Sequence, residues 1–186
     1  MEAFDTGIKG LKLIKPHIIS DERGYFFESY SKVKFPSDGQ NNWVQDNESK
    51  SKKGVLRGLH YQIGKQAQAK LVRAVVGAIY DVAVDIRSDS DTYGKWYGAE
   101  LNDVNKLQML IPRGFAHGFL VLSDQAIFSY KCDNYYNKES EGGIIYNDPN
   151  LDITWPRVNH EANLLPYQLS EKDNNLPVFE NHIPFK

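Results

Sequence analysis

The chain has 186 residues, a formal net charge of −2 at pH 7 and a pI of about 6.2, with 41% hydrophobic and 12% aromatic residues. This length favours a single domain, 1–186, and the composition excludes a disordered protein. The near-neutral charge gives no reason to expect a nucleic acid partner. The chain shows no apolar run of membrane-spanning length and no signal peptide, and its single Cys132 fits a reducing compartment, so we expect a cytoplasmic protein with no membrane partner.

Short strands separated by turn residues dominate the chain. In chain order we predict strands at 10–15, 25–30, 70–76, 78–86, 97–101, 106–111, 118–122 and 126–132. Glycines and polar pairs such as Asn102-Asp103 and Ser123-Asp124 mark the turns between them. Many short strands at regular spacing are typical of a sandwich or barrel, and we predict an all-β antiparallel jelly roll.

Helical periodicity is weak. It is confined to short pieces at 33–36 and 169–174, and Ser170 is placed to cap the second. The polar, proline-containing tail from Asn159 onward is expected to cover one mouth of the barrel. No internal repeat interrupts the pattern.

The segment Gly54–Gln62 carries an arginine and a histidine within a strand-like sequence, and Lys70 follows shortly after. A strand that serves only for packing has no use for such groups. A phosphorylated substrate with a ketone would use all three: Arg57 for the phosphate, His60 to move a proton, and Lys70 to face a developing oxyanion.

The spacing of Arg57 and His60 raises a geometric problem. Their separation is odd, so on a regular strand the two side chains point to opposite faces. For both to line one cavity the alternation must break between them, and Gly58 is the natural position for a bulge.

Several blocks of the sequence, taken together, are similar to the dTDP-4-dehydrorhamnose 3,5-epimerase family. The blocks are 21–28 (DERGYFFE), 45–47 (QDN), 54–62 (GVLRGLHYQ), 68–70, 81–87 (DVAVDIR), 111–119 (IPRGFAHGF), 130–136, 141–142 and 169–173 (LSEKD). The resemblance covers nearly the whole chain in order. It implies a cupin-type jelly roll, a homodimer, and a cofactor-independent conversion of dTDP-4-dehydro-6-deoxy-D-glucose to dTDP-4-dehydro-L-rhamnose.

That reaction needs a base on one face of the sugar, an acid on the other, and a cation beside the enolate. His60 is the best base, because an imidazole exchanges protons near neutral pH. The resemblance implies that Asp173 orients it; the sequence alone leaves Asp81 and Asp85 as equal alternatives. Lys70 would face the enolate oxygen, and Tyr130 would supply the proton from the opposite face.

The remaining predicted site residues would bind the substrate. Arg23, Arg57 and Lys172 are candidates for the diphosphate, arginine being suited to bidentate phosphate contacts. Tyr136 or Phe27 would stack on the base, and His117 would hold a phosphate or a sugar hydroxyl. The polar candidates for thymine, ribose and sugar are Glu28, Gln45, Asn47 and Glu141, with Asp46 in the same QDN block.

Three other readings are open at this stage. A metal-dependent cupin would need histidines and a carboxylate converging on one ion, yet His17, His60, His117, His160 and His182 form no closely spaced pair, so no metal site is predicted. A non-catalytic sugar-nucleotide binder would not need base, acid and lysine together. A relative that inverts only C3 or only C5 is distinguished by pocket shape, which the sequence does not show.

The aromatic run Tyr25–Phe27 predicts how the chain associates. Edge strands in a small sandwich need cover, and this run offers apolar surface for a second subunit. We expect a homodimer in which this region approaches the partner's active site.

Overall fold

The computed structural model describes residues 1–35, 42–160 and 163–186. Three short 3₁₀ turns lie at Gly64–Gln66, Lys138–Ser140 and Phe179–Asn181. The other elements of the described residues are β1 (Glu2–Asp5), β2 (Lys12–Lys15), β3 (Ile19–Asp21), β4 (Gly24–Phe26), β5 (Gln45–Lys52), β6 (Leu56–Gln62), β7 (Lys70–Val76), β8 (Ala78–Asp85), β9 (Trp96–Asn102), β10 (Gln108–Ile111), β11 (Phe115–Val121), β12 (Gln125–Cys132), β13 (Glu141–Gly143), β14 (Asn159–His160), β15 (Asn163–Leu164) and the helix α1 (Glu171–Asn174).

Two antiparallel sheets make up the body of the structure. One has six strands in the order β1-β2-β10-β7-β12-β5, and the other has five in the order β13-β6-β11-β8-β9. Consecutive strands such as β6 and β7 lie in different sheets, as they do in a jelly roll. The all-β antiparallel prediction is confirmed.

Strands with an apolar alternation are found where they were predicted. β7 matches its predicted range, and β8 ends one residue early, at Asp85. The predicted strand at 106–111 begins only at Gln108, because Lys106 has a left-handed φ of 53°. β11 begins at Phe115, three residues before its predicted start.

Other predicted elements differ from the structure. The strand expected at 25–30 ends at Phe26, and β5 has no counterpart among the predicted strands. Residues 33–35 form no helix, and Pro36 lies outside the described residues. The helix expected at 169–174 is a single turn, Glu171–Asn174, whose first turn is capped as predicted by Ser170.

Apolar side chains pack on both faces of the five-stranded sheet. Phe119 on β11 faces the other sheet and stacks on Phe128 of β12, with ring centroids 4.3 Å apart. On the opposite face Val82 and Leu120 pack under the C-terminal tail. Because both faces are covered, every residue of β11 is buried.

The C-terminal tail covers this opposite face, and only part of it reaches the cavity. Leu165, Tyr167, Phe179 and Phe185 pack on the sheet, while 168–173 line the open end of the space between the sheets. The prediction that the tail covers one mouth is therefore right for this short stretch only. No helix among residues 1–35, 42–160 and 163–186 is long and apolar enough to cross a membrane.

The hairpin β3-β4 lies outside both sheets. Its aromatic residues Tyr25 and Phe26 are 57% and 66% exposed, an unusual exposure for side chains of this size. The hairpin is anchored where the Lys106 Nζ donates to the Tyr25 hydroxyl at 2.7 Å and lies 4.2 Å from the ring centroid. It therefore presents an apolar surface that is held in place.

Candidate active site

The site is an open cavity of 590 Å³ between the two sheets. Strands from both sheets and the segment at 168–173 form its walls. Among the predicted site residues, those lining it are Asn47, Arg57, His60, Lys70, His117, Tyr130, Lys172 and Asp173.

An irregularity in β6 brings Arg57 and His60 to the same cavity. His60 lies opposite His117 on β11, whereas Arg57 lies opposite Phe119, so four residues of β6 face three of β11. Gly58, with φ of 120°, sits at the break. A Cβ on Gly58 would lie 2.6 Å from the Cα of Gly118, so only glycine fits. The bulge predicted at Gly58 is confirmed.

Asp173 is the carboxylate that contacts His60. Its Oδ1 lies 2.5 Å from His60 Nε2, although 113 residues separate the two in sequence. Burial by itself would raise the pKa of Asp173, but the hydrogen bonds with His60 and Ser170 outweigh it and hold that pKa below its ordinary value. The carboxylate is therefore charged at neutral pH and orients the imidazole.

The two alternative carboxylates have other partners. Asp85 accepts hydrogen bonds from the Arg87 guanidinium and from the hydroxyls of Ser90 and Thr92, at 2.6 to 2.8 Å. Asp81 contacts His117 instead, with Oδ1 2.9 Å from Nε2.

His117 lines the cavity on β11, beside His60, and Asp81 lies behind it. Both side chains are buried, and burial lowers the pKa of His117 even though Asp81 opposes the shift. His117 is therefore neutral, and a neutral imidazole is a weaker phosphate ligand than a cation. Oδ2 of Asp81 has no hydrogen-bond partner among the side chains and backbone groups of the described chain.

Lys70 and Tyr130 stand on the six-stranded wall, across the cavity from His60. They lie on the paired strands β7 and β12, with the Lys70 Nζ 5.9 Å from the Tyr130 ring centroid. Burial lowers the pKa of the Lys70 ammonium and raises the pKa of the Tyr130 phenol. Tyr130 thus keeps its proton at neutral pH, and the lysine is a stronger hydrogen-bond donor than one in water.

A second recess of 270 Å³ continues from the cavity. Asn47, His60, Lys70 and Tyr130 line both spaces. The recess adds three more predicted residues, Gln45, Tyr136 and Glu141.

Glu141 has two partners at this recess. The Tyr136 hydroxyl donates to Glu141 at 3.2 Å, and Glu141 pairs with Lys172 at 2.5 Å. Burial alone would raise the pKa of Glu141, but Lys172 and Tyr136 hold it below its ordinary value.

Four predicted residues lie elsewhere in the chain. Asp46 is on β5 between Gln45 and Asn47, so strand alternation turns it to the outer face, where it pairs with Lys131 at 2.9 Å. Asp46 therefore does not line this chain's cavity. Arg23, Phe27 and Glu28 belong to the hairpin region: Arg23 pairs with Asp21, and Glu28 pairs with Lys34.

Sequence reasoning missed several cavity residues. Ser49 lines the cavity, and Ser51 shares the inward face of β5 with Ser49 and Asn47 and bonds to Arg57. The alternation of uncharged and charged side chains from 45 to 52 was the signal for them. Phe119 and Phe128 carry no chemical signal, because an apolar strand residue is ordinarily core. Gln168 reaches the site only through the fold of the tail.

Across the described ranges, 1–35, 42–160 and 163–186, no group of three or more His, Cys, Asp or Glu side chains could hold a metal ion. The two histidines of the cavity are each engaged by a separate carboxylate, Asp173 and Asp81.

The two sheets enclose a cavity in which a histidine and a tyrosine stand on opposite walls, an arrangement that fits an all-β epimerase. The sequence profile of the dTDP-4-dehydrorhamnose 3,5-epimerases matches residues 5–181. The chain belongs to the dTDP-4-dehydrorhamnose 3,5-epimerase family.

Individual relatives agree with the profile along nearly their whole length. The dTDP-4-dehydrorhamnose 3,5-epimerase of Salmonella typhimurium is 48% identical over 97% of this chain and 96% of its own. The crystal structure of the enzyme of the same name from Elizabethkingia anophelis has 54% identity and a TM-score of 0.87, covering 97% of both chains. A dTDP-6-deoxy-D-glucose-3,5-epimerase from Legionella pneumophila, solved with dTDP-4-keto-L-rhamnose, has 47% identity and a TM-score of 0.89, covering 97% of this chain and 93% of that one.

Proposed function

We propose that this protein converts dTDP-4-dehydro-6-deoxy-D-glucose to dTDP-4-dehydro-L-rhamnose by inverting C3 and C5. The observation that carries the proposal is the placement of His60 and Tyr130 on opposite walls of one cavity, with Lys70 beside Tyr130. Inversion requires a proton to leave one face of a carbon and another to arrive on the opposite face. An acid and a base on the same wall would return the proton to its original face.

The chemistry at each carbon is a proton abstraction followed by reprotonation. The C4 ketone acidifies the hydrogens on C3 and C5, and His60, oriented by Asp173, takes one as a proton. The electron pair of that C–H bond moves to O4 as an enolate, which the Lys70 ammonium stabilises. The enolate then collapses, and the carbon takes the phenol proton of Tyr130 on the other face.

The rim of the cavity supplies the binding groups. Arg57 makes no ion pair with any carboxylate in the described ranges, so its charge is available to a diphosphate. Lys172 lies on the same rim. Gln45, Asn47, Tyr136 and Glu141 give the adjoining recess donors, acceptors and an aromatic ring for the nucleoside.

The test measures which hydrogens of the substrate exchange with solvent deuterium. The protein is incubated with dTDP-4-dehydro-6-deoxy-D-glucose in D₂O, and NMR reports deuterium at each carbon and the configuration of the product. We expect deuterium at both C3 and C5, together with inverted product. The His60→Ala protein in the same buffer controls for spontaneous exchange beside the ketone.

Other outcomes identify the alternatives. Deuterium at one carbon only would make the protein a single-site epimerase, and nucleotide binding without exchange would make it a binder. Loss of exchange after chelation, restored by a divalent ion, would indicate a metal-dependent enzyme.

We also propose that the chain works as a homodimer through the hairpin β3-β4. The exposed Tyr25 and Phe26 supply the apolar surface, and Arg23, Phe27 and Glu28 lie away from this chain's own cavity, free to approach a partner's site. Each subunit of this dimer would be the whole chain, 1–186, folded as one cupin-type domain. We place the protein in the cytoplasm, a compartment in keeping with its free Cys132.

Light scattering at micromolar concentration should show a dimer. Phe26→Ser should shift the protein toward monomer and lower activity, because it removes exposed apolar area from the hairpin. Ile183→Ser is the matched control: Ile183 is also exposed, at 54%, but lies on the tail. A fully active, monodisperse monomer would contradict the proposal.

A further inference from the structure

Arg57 is held by one neutral side chain. Its Nε and Nη2 both donate to the Ser51 hydroxyl oxygen, at 3.2 and 3.1 Å. Ser51 is on β5 of the six-stranded sheet and Arg57 on β6 of the five-stranded sheet, so these bonds join the two sheets beside the cavity. Ser51 is buried, with 7% exposure, whereas Arg57 is exposed to the open cavity.

The geometry of the guanidinium determines which N–H donors of Arg57 remain free when Ser51 is bound. The group carries five N–H donors in one plane, and Ser51 engages one on Nε and one on Nη2. The edge between Nη1 and Nη2 keeps its pair of parallel donors. That edge can donate to two phosphate oxygens at once.

Because the residue that holds Arg57 is a neutral serine, the charge of the guanidinium is not cancelled. A carboxylate in the position of Ser51 would neutralise the arginine, and a phosphate would then have to compete with it. A hydroxyl oxygen orients the guanidinium and leaves its full charge available. Without the anchor, a long side chain facing an open cavity samples many rotamers, and binding must order it.

We infer that Ser51 is a positioning residue for substrate binding: it directs the free edge of Arg57 at the diphosphate of the dTDP-sugar. This role rests on the proposed function, because it presumes a diphosphate at the rim of the cavity. Ser51 acts on binding rather than on proton transfer, since its side-chain hydrogen bonds within the described residues run to Arg57.

Ser51→Ala should weaken dTDP binding, measured by calorimetry, by about tenfold, the order expected for one hydrogen bond to a charged group. KM for the sugar nucleotide should rise by a similar factor, with kcat within about twofold. Ser51→Thr keeps the hydroxyl and should restore binding. Ser51→Cys keeps the volume but is a weak acceptor, and it should repeat the loss if the alanine variant folds poorly.

Two controls separate positioning from a general structural effect. Ser129→Ala makes the same change on β12 at a residue that alternates away from the cavity, and it should bind dTDP normally. In an Arg57→Ala background, Ser51→Ala should weaken dTDP binding no further, because the side chain that it positions is gone.

The outcomes distinguish the two proposals. Wild-type protein that fails to bind dTDP would overturn the proposed function itself. Wild-type protein that binds dTDP while Ser51→Ala binds equally well would overturn the positioning role alone. An additional loss in the Arg57→Ala background would also overturn it, because Ser51 would then act independently of Arg57.

Discussion

Replacing His60 with alanine should lower kcat by roughly two to four orders of magnitude, the usual contribution of a positioned general acid or base. The effect should be this large because His117, Lys70 and Tyr130, which also line the cavity, are not placed to replace His60 as the base. His117 stands next to His60 on the same sheet, but it is buried and its Nε2 is engaged by Asp81. Lys70 and Tyr130 stand on the opposite sheet.

Binding should survive the His60 substitution. Arg57 is held by Ser51, and Lys172 pairs with Glu141. Removing the imidazole leaves both cations in place, so the affinity for dTDP should stay within a few-fold of wild type. Single-turnover kinetics measures the rate of the chemical step, and calorimetry on the same preparation measures the affinity for dTDP. Asp173→Asn should lose less activity, because the imidazole remains in place and only its orienting charge is removed. Near-normal turnover in His60→Ala would remove His60 from the mechanism.

Replacing Tyr130 with phenylalanine should separate hydrogen exchange from inversion. The variant loses the proton donor but keeps His60, Asp173 and Lys70, so the enolate still forms. The phenyl ring preserves the packing of Tyr130 against Phe128, whose centroid lies 5.4 Å away. The proton then returns from His60 to its original face, or arrives slowly from water. We expect continued deuterium incorporation and roughly a hundredfold or greater loss of doubly inverted product.

The quantity to measure is the ratio of exchange to inversion, obtained by NMR in D₂O. Tyr93→Phe is the matched control, since it removes a phenol that contacts the tail through His182, outside the cavity. Its ratio should equal that of wild type. Equal loss of exchange and inversion in Tyr130→Phe would place the phenol in binding or enolate stabilisation, and unchanged product would make it a packing residue.

Strands rich in apolar residues were predictable from the sequence alone. β12 alternates apolar and polar residues, β7 and β8 are mostly apolar, and all three were found near their predicted ranges. β5 carries serine, asparagine and lysine instead, because its inner face lines a polar cavity, and a search for apolar alternation does not find it.

The sequence indicated which residues form the site better than it indicated how they are arranged in space. The odd spacing of Arg57 and His60 was enough to require a break at Gly58, since strand alternation is a local rule. The same rule applied to β5 would have turned Asp46 outward. The contact between Asp173 and His60 was beyond any local rule, because it depends on how the tail docks 113 residues later.

The stacked rings of Phe119 and Phe128 have a consequence for how such an enzyme can change. One ring comes from each sheet, and both line the cavity between the wall that bears His60 and the wall that bears Tyr130. Because the two rings stack between the sheets, their size helps to set the distance between the two walls. A substitution at either ring would leave every reactive group in place. It would still alter the distance over which each proton is transferred. In this molecule a change in the packing of these two rings would therefore also change the geometry of the site.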